Sequence, residues 1–190
     1  MLNRRAYIGL AAGLTGALAL GLNASAKRGP LKIGEVVKAP VLRDIASDKP
    51  LDLASYKGKK VVVGIFVQKN CGTTWKYYGK MGEIIAKFKA KGVEVVGIHS
   101  SQGETDDMML SDLQSKNLNI PLLDDKKDQA LMKLVGANCT PTFVVIDKDS
   151  KLRYFGSYDK YGSAPNYVPD ALNAILAGKP VKMAQTRAFG

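Results

Sequence analysis

The stretch VVVGIFVQKN-CGTT-WKYYGKMGEIIAKF, from Val61 to Phe88, decides the fold of this chain. Its first seven residues, Val61–Val67, form a continuous β-branched and aromatic run, the pattern of a strand buried on both faces. Trp75, Tyr78, Met81, Ile85 and Phe88 then recur every three or four residues and predict one apolar helix face. Cys71 lies between the two, at the first turn of that helix. A helix start leaves four backbone N–H groups without intrahelical partners, and the macrodipole there favours negative charge. A thiol in that field loses its proton more readily, and the thiolate is the nucleophilic form. The spacing is that of a C-x-x-C dithiol, but Thr74 stands where the second cysteine would be. Two readings of Thr74 stand open. Its hydroxyl either hydrogen-bonds a Cys71 thiolate or is a first-turn hydroxyl with no chemical role.

Outward from this stretch, strands and helices alternate. Lys91-Gly92 ends the helix, Val93–Ile98 is a second buried strand, and Ser100-Ser101-Gln102-Gly103 is a polar loop. Thr105 caps a helix running to about Lys116, with Asp106 and Asp107 in its first turn. Ile120–Leu123 predicts a short strand and Lys127–Val135 a short helix closed by Gly136. Thr142–Asp147 and Leu152–Gly156 read as a hairpin turning at Lys148-Asp149-Ser150. Val168–Ala177 is a last helix, with Pro169 in its first turn and Gly178 past its end. Upstream, Lys27–Lys60 is punctuated by Pro and Gly and predicts short strands or an extended arm. The order argues for one α/β domain, a mixed sheet flanked by helices on both faces.

The first 26 residues read as an export signal. Arg4 and Arg5 make a short basic start, Ala6–Leu22 is apolar and small, and Ala24-Ser25-Ala26 offers an A-x-A cleavage site. The pair of arginines in NRRAYI is also similar to a twin-arginine signal. Retention of the same segment as an anchor is the alternative to cleavage. Cleavage leaves residues 27–190, about one domain with no stable membrane span, placed in the periplasm or otherwise outside the cytoplasm. The formal charge is +11, falling to +9 once Arg4 and Arg5 are lost. The lysines are scattered rather than gathered with aromatics into a stripe, which argues against nucleic acid as a partner. Two cysteines, Cys71 and Cys139, permit one disulfide in an oxidising compartment. They lack zinc-ligand spacing and His99 is the sole histidine, so no metal and no cofactor is expected. Cys139 precedes Thr140-Pro141, and Pro141, after a polar loop, suits a cis peptide bond.

Several segments together resemble the thioredoxin-fold redoxins, which include the alkyl hydroperoxide reductase/thiol-specific antioxidant family. The lead-in KIGEVVKAPVLRDIASDKPLDLASYKGKKVVV is similar to that family's opening, and Cys71-Gly72 lies where thioredoxins carry the nucleophile of Cys-Gly-Pro-Cys. KGVEVVGIHS resembles the strand after the active-site helix, TPTFVVIDKDSKLRY the cis-proline strand with its hairpin, and ALNAILAGKPV the closing helix of exported redoxins. The resemblance spans roughly residues 32–182. It implies a thioredoxin-like fold with Cys71 as the attacking thiol. Gly72, Thr73, Thr140 and Pro141 would form the surface that binds a peptide or thiol substrate. It also sets Cys139 across from the helix start, as a candidate resolving thiol if the Cα atoms come within about 4.4–6.8 Å.

The departures from that family narrow the chemistry. With Thr74 in place of a resolving cysteine, ordinary C-x-x-C cycling is closed. Peroxiredoxins carry Pro-x-x-x-Thr-x-x-Cys, but Gly64 and Gln68 occupy the Pro and Thr positions, and Thr140 stands where their arginine falls. The expected activity is thus thiol–disulfide exchange through Cys71 with protein or small-molecule thiols and disulfides. Resolution falls to Cys139 or to an external reductant. A thiol-dependent peroxidase or a Cu(I) chaperone using His99 with Cys71 and Cys139 are the alternatives. The exported copper-chaperone relatives use a C-x-x-x-C pair that this chain lacks.

Overall fold

The computed structural model describes residues 29–190, and the proposed export segment lies outside them. A seven-stranded mixed sheet runs in the order β2-β1-β5-β4-β3-β6-β7. Its strands are β1 (Leu42–Asp44), β2 (Lys49–Leu51), β3 (Val61–Val67), β4 (Val93–His99), β5 (Leu122–Asp124), β6 (Thr142–Ile146) and β7 (Leu152–Gly156). The helices are α1 (Gly72–Phe88), α2 (Asp106–Ser115), α3 (Ala130–Val135) and α4 (Tyr167–Leu176). Strands β3, β4 and β5 run parallel, and β6 pairs antiparallel with β3. This is a thioredoxin-like α/β fold, with helices on both faces as expected.

Strand β3 is wholly buried because its alternate side chains enter two different cores. Val61, Val63, Ile65 and Val67 pack with Met81, Ile84 and Phe88 of α1, Met109 and Leu113 of α2, and Val168 and Leu172 of α4. Val62 and Phe66 face the other core, with Leu131 and Val135 of α3. Gly64 falls on that second face, where a Cβ would lie 2.8 Å from Val144 Cγ2 and 3.0 Å from Ile98 Cδ1. Glycine there lets two neighbouring strands fill the space with branched side chains.

The apolar face of α1 is rotated from the expected one. Its buried residues are Thr74, Tyr77, Tyr78, Met81, Ile84 and Phe88, whereas Trp75 is exposed and Ile85 only partly covered. Trp75 lies outside because its Nε1–H donates to the Lys69 carbonyl, clipping the ring to the loop before the helix. Tyr77 is buried, with its hydroxyl donating to Asp159 Oδ1 at 2.7 Å. Helix α3 starts at Ala130, three residues later than its composition suggests. Gln129 takes a left-handed conformation, and buried Asp125 caps the helix by accepting the N–H groups of Leu131 and Met132 at 2.9 and 3.0 Å. Strand β5 likewise begins at Leu122 rather than Ile120. The lead-in is in part an extended arm, bonded to α3 and to the β6–β7 hairpin through Leu31 N–H to Leu134 O and Val37 N–H to Ser150 O.

Candidate functional site

Parallel β3 and β4 end side by side, with Val67 opposite His99, so the chain leaving β3 delivers Cys71 to the carboxyl edge of the sheet. Ligands bind at such edges in open α/β sheets. Cys71 is the N-cap residue of α1, with φ −104° and ψ 109°, so its side chain sits where capping groups meet the free N–H groups of the first turn. Strand β6 approaches from the other side. The Thr140–Pro141 bond is cis, and the Cys71 thiol donates to the Thr140 carbonyl at 3.0 Å.

Burial by itself would raise the Cys71 pKa, yet its pKa lies below that of an ordinary thiol. Opposing burial, the polar groups of Thr140, Thr74 and Thr73 around the sulfur favour its charged form, although the Cys71 side chain makes no capping hydrogen bond to the first turn of α1. The Thr74 hydroxyl is fully buried and has no hydrogen-bond partner. A buried hydroxyl without a partner is costly, and a thiolate beside it is the acceptor that would relieve the cost.

Cys71, Gly72, Thr73, Cys139 and Thr140 line one open cleft of about 580 Å³, together with Gln68, Asn70, Lys76 and Gly190. Thr74 and Pro141, each next in sequence to a lining residue, are buried and do not line it. Cys139 is a free thiol 3.9 Å from Thr142 Oγ1, and Cys71 is also free. His99 stands apart from this group. It is fully buried, and its Nε2 faces the Glu104 carbonyl at 3.4 Å, so Nε2 carries the proton and Nδ1 is left without a partner. Burial, reinforced by Lys126, lowers its pKa and keeps it neutral.

One residue that organises the site carries no motif. Glu104 is buried just before α2, and its carboxylate accepts the N–H groups of Lys69 at 2.9 Å and Asn70 at 2.7 Å. It thereby holds the loop that delivers Cys71. The only trace in the sequence is an acidic residue in a polar loop next to a helix cap, which ordinarily reads as solvated.

A cysteine capping the helix after a central strand, faced by a cis-proline loop, defines a thioredoxin-fold thiol protein. Comparison with known proteins places this one more closely: the chain belongs to the Redoxin family, whose model matches residues 34–175. It is 30% identical over 131 residues to the thiol-disulfide oxidoreductase ResA of Bacillus thuringiensis subsp. konkukian, covering 66% of this chain and 70% of that one. Among solved structures it resembles a hypothetical protein from Sinorhizobium meliloti 1021, with TM-score 0.75 and 23% identity over 84% of this chain and 92% of the other. It is also similar to a secreted Mycobacterium tuberculosis disulfide oxidoreductase homologous to E. coli DsbE, with TM-score 0.56 and 22% identity over 73% and 95% of the two chains. At these identities the two structures speak for the fold alone.

Proposed function

We propose that this protein is an exported thiol–disulfide oxidoreductase that uses Cys71 as its single attacking thiol. The observation that carries the reading is the Cys71 environment. Cys71 is the N-cap of α1, its thiol donates to the Thr140 carbonyl at 3.0 Å, its pKa is lowered despite partial burial, and it opens into a cleft edged by Thr140. The ResA relative is named for this chemistry. Export is supported by the basic start, apolar run and A-x-A site of residues 1–26.

The Cys71 thiolate attacks one sulfur of a disulfide R–S–S–R′. A Cys71–S–S–R bond forms, the original S–S bond breaks, and R′–S⁻ leaves with the electron pair and takes a proton from solvent. Cys139, which lines the same cleft, then attacks the Cys71 sulfur. It releases R–S⁻ and leaves a Cys71–Cys139 disulfide for an external thiol to reduce. Peroxide reduction has less support, because Thr140 stands where the peroxidases carry their arginine, and Gly64 and Gln68 where they carry proline and threonine. Among the described residues no cluster of His, Cys, Asp and Glu is arranged to hold a metal, and His99 is spent on Glu104.

Intact-mass analysis of the mature protein after exposure to oxidised glutathione tests the reading. One glutathione adduct is expected on Cys71. It should vanish in Cys71→Ser and accumulate in Cys139→Ser, where the resolving thiol is gone. An adduct on Cys139 alone would overturn the assignment of the nucleophile.

A further inference from the structure

The segment after α4 does not trail into solvent. Phe155 of edge strand β7 donates its N–H to Ala184 O at 3.1 Å, and Thr186 returns its own N–H to Phe155 O at 2.9 Å, so residues 184–186 lie along β7 as a short parallel addition to the sheet. The Thr186 hydroxyl locks the register, accepting the Ser157 N–H at 3.0 Å and meeting Tyr154 Oη at 2.7 Å. Gly156 is shaped for this segment: it has φ +145°, and a Cβ on it would lie 2.1 Å from Thr186 Oγ1.

Beyond Thr186 the hold is lighter. Arg187 is exposed, and Phe189 is kept in place by stacking on Tyr161, with ring centroids 4.4 Å apart, and by edge contact with Tyr77 at 6.1 Å. Tyr161 is itself 72% exposed, so the stack is open to water on its outer side. Gly190 then lies directly on the backbone of Thr140. A Cβ placed on it would fall 1.9 Å from the Thr140 carbonyl oxygen and 3.1 Å from the Thr140 nitrogen. That carbonyl is the acceptor of the Cys71 thiol, and Gly190 lines the cysteine cleft.

We propose that residues 187–190 are a flap, hinged at Thr186, that occupies the Thr140 backbone beside Cys71 and selects between substrates by size. An extended polypeptide laid along Thr140 needs the backbone surface on which Gly190 rests, so it must displace the flap. A small disulfide enters the open part of the cleft with the flap in place. The apparent rate for a polypeptide is therefore scaled by the fraction of molecules with the flap open, and weakening the flap raises it. The proposal rests on the reading of Cys71 as the reactive thiol.

Two probes with one leaving group separate the cases. An eight-residue peptide with its cysteine activated as a 2-thiopyridyl disulfide and free 2,2′-dithiodipyridine both transfer a thio group to Cys71 and release 2-thiopyridone, so electrons and atoms balance identically. The reactions are run on the full mature chain in a Cys139→Ser background. In Phe189→Ala the peptide probe is expected to react about tenfold faster, and dithiodipyridine less than about twofold faster. Tyr161→Ala, which removes the exposed half of the stack and leaves Phe189 in place, should reproduce the selective gain. Equal change with both probes, no change, or a slower peptide reaction in both variants would overturn the flap. Failure of dithiodipyridine to label Cys71 in the parent would instead overturn the thiol reading and the flap with it.

Discussion

Replacing Glu104 by glutamine tests whether the Cys71 field depends on the loop that delivers it. The carboxylate accepts two backbone N–H groups, from Lys69 at 2.9 Å and Asn70 at 2.7 Å. Hydrogen bonds to a charged group are worth about 1.5–3 kcal/mol each. Asn70 is exposed and Lys69 partly so, which lets water recover part of the loss and sets the low end of that range. Two bonds at ~1.5 kcal/mol each, less about 1 kcal/mol for the neutral bond that a glutamine oxygen keeps, give a destabilisation of about 2 kcal/mol. In a domain of this size that corresponds to a fall in Tm of roughly 4–8 °C. The freed loop also loosens the helix start, so the Cys71 sulfur is held less closely in the field of the first turn of α1. Urea unfolding reads the first effect, and the pH dependence of iodoacetamide alkylation in a Cys139→Ser background reads the second. The alkylation midpoint is expected to rise toward the ordinary thiol value of about 8.5. A stability change within about 0.5 kcal/mol would refute the clamp. A full stability loss with an unmoved midpoint would show that α1 holds its first turn without the loop.

Thr74→Val removes a buried hydroxyl that has no hydrogen-bond partner, at nearly constant volume. Stability should hold or rise by up to ~1 kcal/mol, while the alkylation midpoint of Cys71 shifts upward; a midpoint identical to the parent's would return Thr74 to a purely structural role. His99 gives an acid-side signature. Its folded pKa is depressed, so below about pH 6.5 the unfolded chain takes up a proton that the folded chain refuses. Stability from this group is complete above that pH and is lost as pH falls toward the folded pKa. Urea unfolding between pH 7 and pH 5 should show a steeper decline for the parent than for His99→Gln, and parallel profiles would count against a neutral buried imidazole.

Much of this architecture was legible where hydrophobic periodicity is strong. The β3 run, the β6–β7 hairpin and the Thr105 cap of α2 all fall where composition puts them, because each is specified by neighbours in sequence. The errors arise where a distant partner decides. Trp75 fits the apolar stripe of α1 by spacing, but a carbonyl at Lys69 draws its N–H outward. Helix α3 starts late because the side chain of Asp125 claims its first N–H groups. In the site, helix position and motif put Cys71 at the start of α1 and Thr140 before the cis proline, since both placements follow from neighbours in sequence. Glu104 acts across 34 and 35 residues of sequence, on groups of the main chain that have no signature of their own. The tail is similar: Thr186 and Phe189 sit in a polar, unpatterned segment, and only the opening at Gly156 shows that the sheet edge receives them.

The single-cysteine site puts unusual weight on what surrounds the sulfur. In a dithiol site the second cysteine ends every encounter, so a mixed disulfide is brief whatever the partner. Thr74 cannot attack, and under the proposed mechanism the lifetime of an adduct on Cys71 is set by how quickly Cys139 or an external thiol reaches it. Both routes run through the cleft, and both Thr140 and Gly190 border that cleft. The field that lowers the Cys71 pKa comes largely from backbone and hydroxyl donors, which activate the thiol toward any disulfide without distinguishing among them. Discrimination must then come from access. The groups that control access are the Thr140 edge and the segment lying on it, so substitutions there should change which substrates react while leaving the thiol's acidity alone. Substitutions at Thr74 should do the reverse. That separation of acidity from access is the property by which the arrangement stands or falls.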